Sequence, residues 1–244
     1  MRTALLAELR KFRFTRSLWA VLVAGAALSV VGAALVIGFS KSQDLADHLS
    51  AHGPLRFGPT NIGLILLVFA IRVFADETHH HTLASTYIAT PQRRCVLVAK
   101  ATVAACVAVA FCVFVFALVI PITLVGVRAR DIPMTIDIAA TGGLLLRTTA
   151  AMTLTVVIGV ALAAVVRNRA VILVASLAWL SLGENLAGAL LEIPELLPGA
   201  AVRALVSGTG GRDALSAAPA GLVLLALATA ATLAALTRLN DDVA

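Results

Sequence analysis

Acid–base chemistry needs ionisable groups that converge on one point and whose surroundings hold their proton affinities apart. The chain offers one set of carboxylates for that role, Glu184, Glu192 and Glu195. They are spread around Pro194 and Pro198, in what reads as an outer re-entrant loop, and shaping or gating an exit suits them better than chemistry. Glu184 is the candidate outer gate, because a carboxylate at membrane depth needs a partner or water. A second cluster, His79, His80 and His81 beside Asp76 and Glu77, has the ligand types a metal would take. It lacks the H-E-x-x-H spacing, and adjacent histidines seldom converge on one ion, so it reads as a polar loop entering a short helix and no metal site is assigned. There is no G-x-x-x-x-G-K-[ST] run to cradle nucleotide phosphates, and Ser207-Gly208-Thr209-Gly210-Gly211 lacks the lysine and reads as a turn. Cys95, Cys106 and Cys112 have no ligand spacing and no even count for a disulfide framework. No catalytic residue is assigned, and an enzyme is not expected.

The elements that would carry such residues are set by composition. With 60% hydrophobic and 13% charged residues and a mean hydropathy of +0.99, the chain has several apolar runs of about 18 or more residues, enough to cross roughly 30 Å of hydrocarbon. The expectation is an all-α integral membrane protein, a single transmembrane domain over residues 1–244 with no polar stretch long enough for a separate soluble domain. Six spans are read: Leu18 to Phe39, Phe57 to Phe74, Val96 to Ile120, Thr148 to Val166, Ala170 to Leu190 and Pro219 to Leu236. The second is short, between Pro59 and Arg72, and the fifth carries Glu184 and Asn185 near its end, where it would pass into the outer re-entrant segment 184–216.

Lys and Arg orient the spans. Twelve of the nineteen fall on the side of the chain ends, among them Arg2, Arg10, Lys11, Arg13 and Arg16, while eight of the thirteen acids fall on the other. Both termini are therefore expected in the cytoplasm, and the net charge of +6 reports topology and anionic membrane lipid rather than a nucleic-acid partner. Residues 1–17 place Leu5, Leu9 and Phe12 on one stripe among basic residues, which suits an elbow helix in the cytoplasmic interface. Arg72, Lys100 and Arg147 lie close enough to an interface to snorkel. Asn61, Ser176 and Ser181 fit either a cavity or interhelical hydrogen bonds, and the small residues Gly25, Ser29, Gly32, Ala33, Gly159 and Ala163 fit helix packing.

The remaining polar segment, 76–95, says most about function. Leu83, Ala84, Tyr87 and Ile88 fall on one side of a two-turn helix and Thr82, Ser85 and Thr86 on the other, giving a short amphipathic helix outside the bilayer. Thr90 and Pro91 suit the N-cap and first position of a long helix that follows, on which Arg93 and Lys100 would share a face toward headgroups or acidic groups of a partner.

Taken together, the basic elbow helix, the pattern Glu77 … Thr82 … Pro91-Gln92-Arg93-Arg94 … Lys100 between the second and third spans, six spans in all and a Pro-rich outer segment before the last resemble a bacterial ATP-binding-cassette (ABC) exporter permease of the type-2 family. The chain departs from that pattern at His81, where a glycine commonly precedes the threonine. The resemblance implies a multi-pass subunit of the bacterial cytoplasmic membrane that pairs with a second copy or a paralogue and binds two separate ABC ATPase subunits. ATP and Mg would be held by those partners, with no cofactor on this chain. It further implies a coupling helix at 82–89, with Glu77, Thr82, Leu83, Tyr87, Ile88, Pro91, Arg93 and Arg94 as coupling residues. The second and fifth spans would line a central cavity through Asn61, Ile65, Phe69, Ser176, Leu177 and Leu180, and that apolar lining suits a hydrophobic or amphipathic cargo such as a drug, antibiotic or lipid. Three alternatives stay open: a secondary transporter or channel without an ATPase, an intramembrane enzyme, and a non-transporting partner of a paralogous permease.

Overall fold

The computed structural model describes residues 2–39, 59–79, 93–131, 138–166, 168–190, 196–208 and 215–241, and every regular element among them is helical. In chain order these are α1 (Arg2–Phe14), α2 (Arg16–Phe39), α3 (Pro59–His79), α4 (Arg93–Arg128), α5 (Ile138–Val166) and α6 (Arg169–Ala178). One turn of π-helix (Trp179–Gly183) then leads into α7 (Glu184–Leu190), followed by α8 (Pro198–Ser207) and α9 (Ala217–Asp241). Among the described residues four helices, α2, α4, α5 and α9, are long and apolar enough to cross a membrane.

The helix ends follow local chemistry. Thr15 separates α1 from α2, its hydroxyl donating to the Lys11 carbonyl at 2.7 Å. Asn168 caps α6, its side-chain oxygen accepting from the amides of Ala170 and Val171 at 3.1 and 3.2 Å. At the far end of α2, Arg130 donates to the Gly38 carbonyl, placing a cation where the helix leaves its carbonyls unpaired.

Several boundaries differ from the expected ones, and α4 runs on past Ile120 and through Pro121 to Arg128. Arg72 does not close the second span: α3 runs on to His79, because Arg72 finds Asp76 one turn later at 3.4 Å. The fourth span begins at Ile138 rather than Thr148, so Arg147 lies within a helix and not at its entrance. The fifth expected span falls on a continuous helical run, residues 169–190, that carries one π turn with helical backbone at both junctions; across it Trp179 lies on Gly183, where a Cβ would come within 2.8 Å of the indole.

α5 is the centre of the bundle, packed by α3, α4, α6, α8 and α9, while α1 packs on α4 and α2 on α3 and α4. Lipid tails are as apolar as leucine, so interior and exterior of such a bundle are sorted by size more than by hydrophobicity. On α5 the buried positions include Ala151, Gly159, Ala161, Ala163 and Ala164, whereas Leu146 and Leu162 face outward. A Cβ on Gly159 would stand 2.9 Å from that of Ala70 on α3, and one on Gly25 of α2 would meet Ile65. The small-residue faces expected from the sequence at Gly25, Ser29, Ala33, Gly159 and Ala163 are thus packing faces.

Candidate functional site

Two polar constellations stand out from the apolar bundle, one at each end. The first joins α1 to α4. Projected at about 100° per residue, Ala4, Glu8 and Phe12 share the side of α1 that meets the bundle. Glu8 accepts from Lys100 of α4 at 2.9 Å, with the two side chains 8% and 1% exposed, and from Lys11 at 3.1 Å. Phe12 stands edge-on to Phe69 of α3 at 5.9 Å and tilted to Trp19 at 5.2 Å. Lys100 is therefore neither snorkelling nor sharing an open face with Arg93. Desolvating an ammonium costs several kcal/mol unless a carboxylate and good geometry offset it, and Glu8 supplies that partner from a helix 92 residues away. With Glu8 turned to the bundle, Leu9 faces outward while Phe12, expected on the same stripe, packs inward.

The second constellation surrounds α8. The residue preceding this helix is Leu197, whose side chain cannot cap, and Pro198 has no amide hydrogen. The missing acceptor comes from Glu184, at the first position after the π turn. Its carboxylate is buried, accepts from the Gly199 amide and pairs with Arg203 at 3.3 Å. Gly199 suits this close approach, since a Cβ would overlap both carboxylate oxygens unless the Glu184 side chain shifted. At the other end α8 closes on Gly208 with φ of 73°, the left-handed conformation that favours glycine. The Arg147 guanidinium lies directly beneath Gly208, and its buried Nε has no hydrogen-bond partner among the described residues. A carboxylate thus sits at the positive end of the α8 dipole and a guanidinium at its negative end. This ten-residue helix is anchored at each end to α7 and α5, while its flank packs on α5 and α9.

The expected functional residues divide into three groups. Thr82, Leu83, Tyr87, Ile88 and Pro91, with His80 and His81, lie outside the described residues. For Asn61, Glu77, His79 and Arg93 only the backbone is described: the first three are in α3, and Arg93 opens α4. Arg94 is exposed on the first turn of α4. Of the expected cavity lining, Ile65 and Phe69 are buried: Gly25 admits Ile65 against α2, and Phe12 covers Phe69. Leu177 is exposed and Ser176 half-buried on α6, and Leu180 is exposed in the π turn. Among the described residues no three His, Cys, Asp or Glu side chains come together as a metal site would require.

Sequence reasoning did not join Glu8 to Lys100, nor Glu184 to Gly199 and Arg203, nor bring Arg147 under α8. One signal was available. Glu8 is the only acid before Asp44, and Lys100 stands alone in an apolar run; two solitary opposite charges in such settings are each other's cheapest partners. No family model and no curated protein sequence matches this chain.

Proposed function

We propose that the chain is the transmembrane subunit of an ATP-driven ABC exporter of the type-2 kind. In this reading it has six spans and both termini in the cytoplasm of a bacterium, and it moves a hydrophobic or amphipathic cargo by alternating access. The observation that carries the reading is the pair of helices flanking the polar segment 80–92. α3 is enclosed by α2, α4, α5 and α6, and α4 is 36 residues long, about 54 Å. That exceeds roughly 30 Å of hydrocarbon, so part of α4 projects beyond the bilayer on the side of this segment or the other. A partner acting on residues 80–92 adjoins two helices that lead into the bundle, and Glu8 ties α1 to the second of them at Lys100. The element order also supports it: a short helix before the first span, and a fifth helix carrying a π turn with a short anchored helix before the last. The partner subunits supply ATP hydrolysis, and closure of their pair shifts the populations of inward-open and outward-open bundles.

The test is recovery of the tagged chain from native membranes in mild detergent, with mass spectrometry and an ATPase assay of what accompanies it. A P-loop ATPase is expected, lost when residues 82–89 are scrambled and weakened by Glu77→Ala or Arg93→Ala. An oligomer free of ATPase across mild detergents would overturn the reading. It would favour a secondary transporter, for which the buried carboxylate of Glu184 next to the π turn is the supporting observation.

A further inference from the structure

The inward turn of Glu8 leaves α1 with an unusual outer face. Leu6, Leu9 and Phe14 are 60%, 55% and 79% exposed. Arg10 and Arg13 are exposed beside them, with Arg16 at the start of α2. An amphipathic helix on a water-facing surface would place its leucines against the bundle and its charges outward. Here the buried stripe holds a carboxylate, Glu8, and the outer face mixes large apolar side chains with arginines. No acid is interleaved with them, because Glu8 is the only one before Asp44, and none of the three arginines has an ion pair among the described residues. The next residues are the first turns of α2, a helix long and apolar enough to cross a membrane, so this face stands where a bilayer surface begins. Trp19, half-exposed and packed on Phe12, is the amphipathic ring expected at that depth.

We propose that this face of α1 is a docking surface for anionic phospholipid, with Leu6, Leu9 and Phe14 among the acyl chains and Arg10, Arg13 and Arg16 on the headgroup phosphates. Arginine presents a planar fork of donors that matches phosphate oxygens, and anionic lipid favours each basic residue at the surface by roughly fivefold. The Glu8–Lys100 pair fixes the rotation of α1 and so keeps the arginines outward. The inference does not rest on the transport reading, since it needs only a bilayer.

The two tryptophans of the chain, Trp19 and Trp179, make the test local. The purified full chain is reconstituted in bilayers of phosphatidylcholine and phosphatidylglycerol in which one lipid or the other carries brominated acyl chains, which quench a neighbouring indole. Trp179→Phe isolates Trp19, and Trp19→Phe isolates Trp179, which lies in the π turn against α6 and α7. The expected result is a preference of Trp19 for brominated phosphatidylglycerol of about fivefold or more, falling toward unity in Arg10→Gln/Arg13→Gln/Arg16→Gln, while the ratio at Trp179 is unchanged by that triple substitution. Raising salt to about 0.5 M, where the screening length shrinks to a few ångströms, lowers the Trp19 preference in the unaltered chain and serves if the triple variant does not fold. Equal quenching of Trp19 by the two lipids, or a preference that survives both the triple substitution and high salt, would overturn the proposal. So would shielding of Trp19 from both lipids, since a protein, including a second copy of this chain, would then cover the face.

Discussion

Replacing Lys100 by Met removes one partner of a carboxylate that the fold has already taken out of water. Glu8 and Lys100 are 8% and 1% exposed, and breaking a buried pair in this way costs about 3–5 kcal/mol, mostly from the charge left behind. Lys11 remains 3.1 Å from Glu8, but its side chain is 42% exposed, and ion pairs of that exposure contribute about 0–1 kcal/mol. It offsets little, and the expected loss is about 3 kcal/mol. For a chain of this length that is a fall in Tm of about 6–12 °C. Glu8→Leu alone takes the carboxylate away from the buried Lys100 ammonium and has a cost of the same order. The double variant Glu8→Leu/Lys100→Met replaces the pair by apolar groups and is expected within about 1 kcal/mol of the parent, or above it. The assay is thermal unfolding in detergent followed by Trp19 fluorescence in a Trp179→Phe background, because Trp19 packs on Phe12 of the same helix. A double variant that loses the sum of the two single losses would refute the reasoning, since independent sites add and paired ones do not.

The second constellation has its own tests. Gly199→Ala puts a Cβ into the Glu184 carboxylate and is expected to cost about 1–3 kcal/mol, read as a lower Tm; no effect would mean that Glu184 does not cap α8. Deleting Leu182 removes the one extra residue of the π turn and lets a regular α-turn replace it with Glu184 still toward α8, so the loss on Gly199→Ala is expected to persist in the deletion background, which a double-mutant cycle checks. Gly208→Ala imposes a left-handed conformation at about 1–2 kcal/mol and displaces Arg147; the loss is expected to shrink in an Arg147→Ala background, where only the backbone strain is left.

The class of the protein and the rough places of its long helices were legible because they rest on runs of like residues. The apolar stretches that contain α2, α4, α5 and α9 are legible from hydropathy alone, and glycines such as Gly25 and Gly159 marked close helix approaches because no other residue permits them. The breaks and pairings were not legible. Nothing in the run from Ala170 to Leu190 announces a π turn, since its one extra residue per turn is stabilised by how Trp179 lies over Gly183. The candidate site was legible only as residue types. Glu184 read as a carboxylate in need of a partner, and its partners, Gly199 and Arg203, come from beyond two prolines.

The sequence by itself determined that this chain is helical and suited to a membrane, where basic residues collect, and which helix faces are small enough to touch. Those properties are sums over neighbouring residues, and a sum needs no fold to evaluate. Only the tertiary structure decided that Lys100 is an interior residue held by Glu8, that α1 turns its leucines and arginines outward, that Phe69 is covered by Phe12, and that α8 is anchored by opposite charges at its two ends. Each of these is a contact between residues far apart in the chain, and a buried charge accepts whichever distant partner the packing brings within about 3 Å.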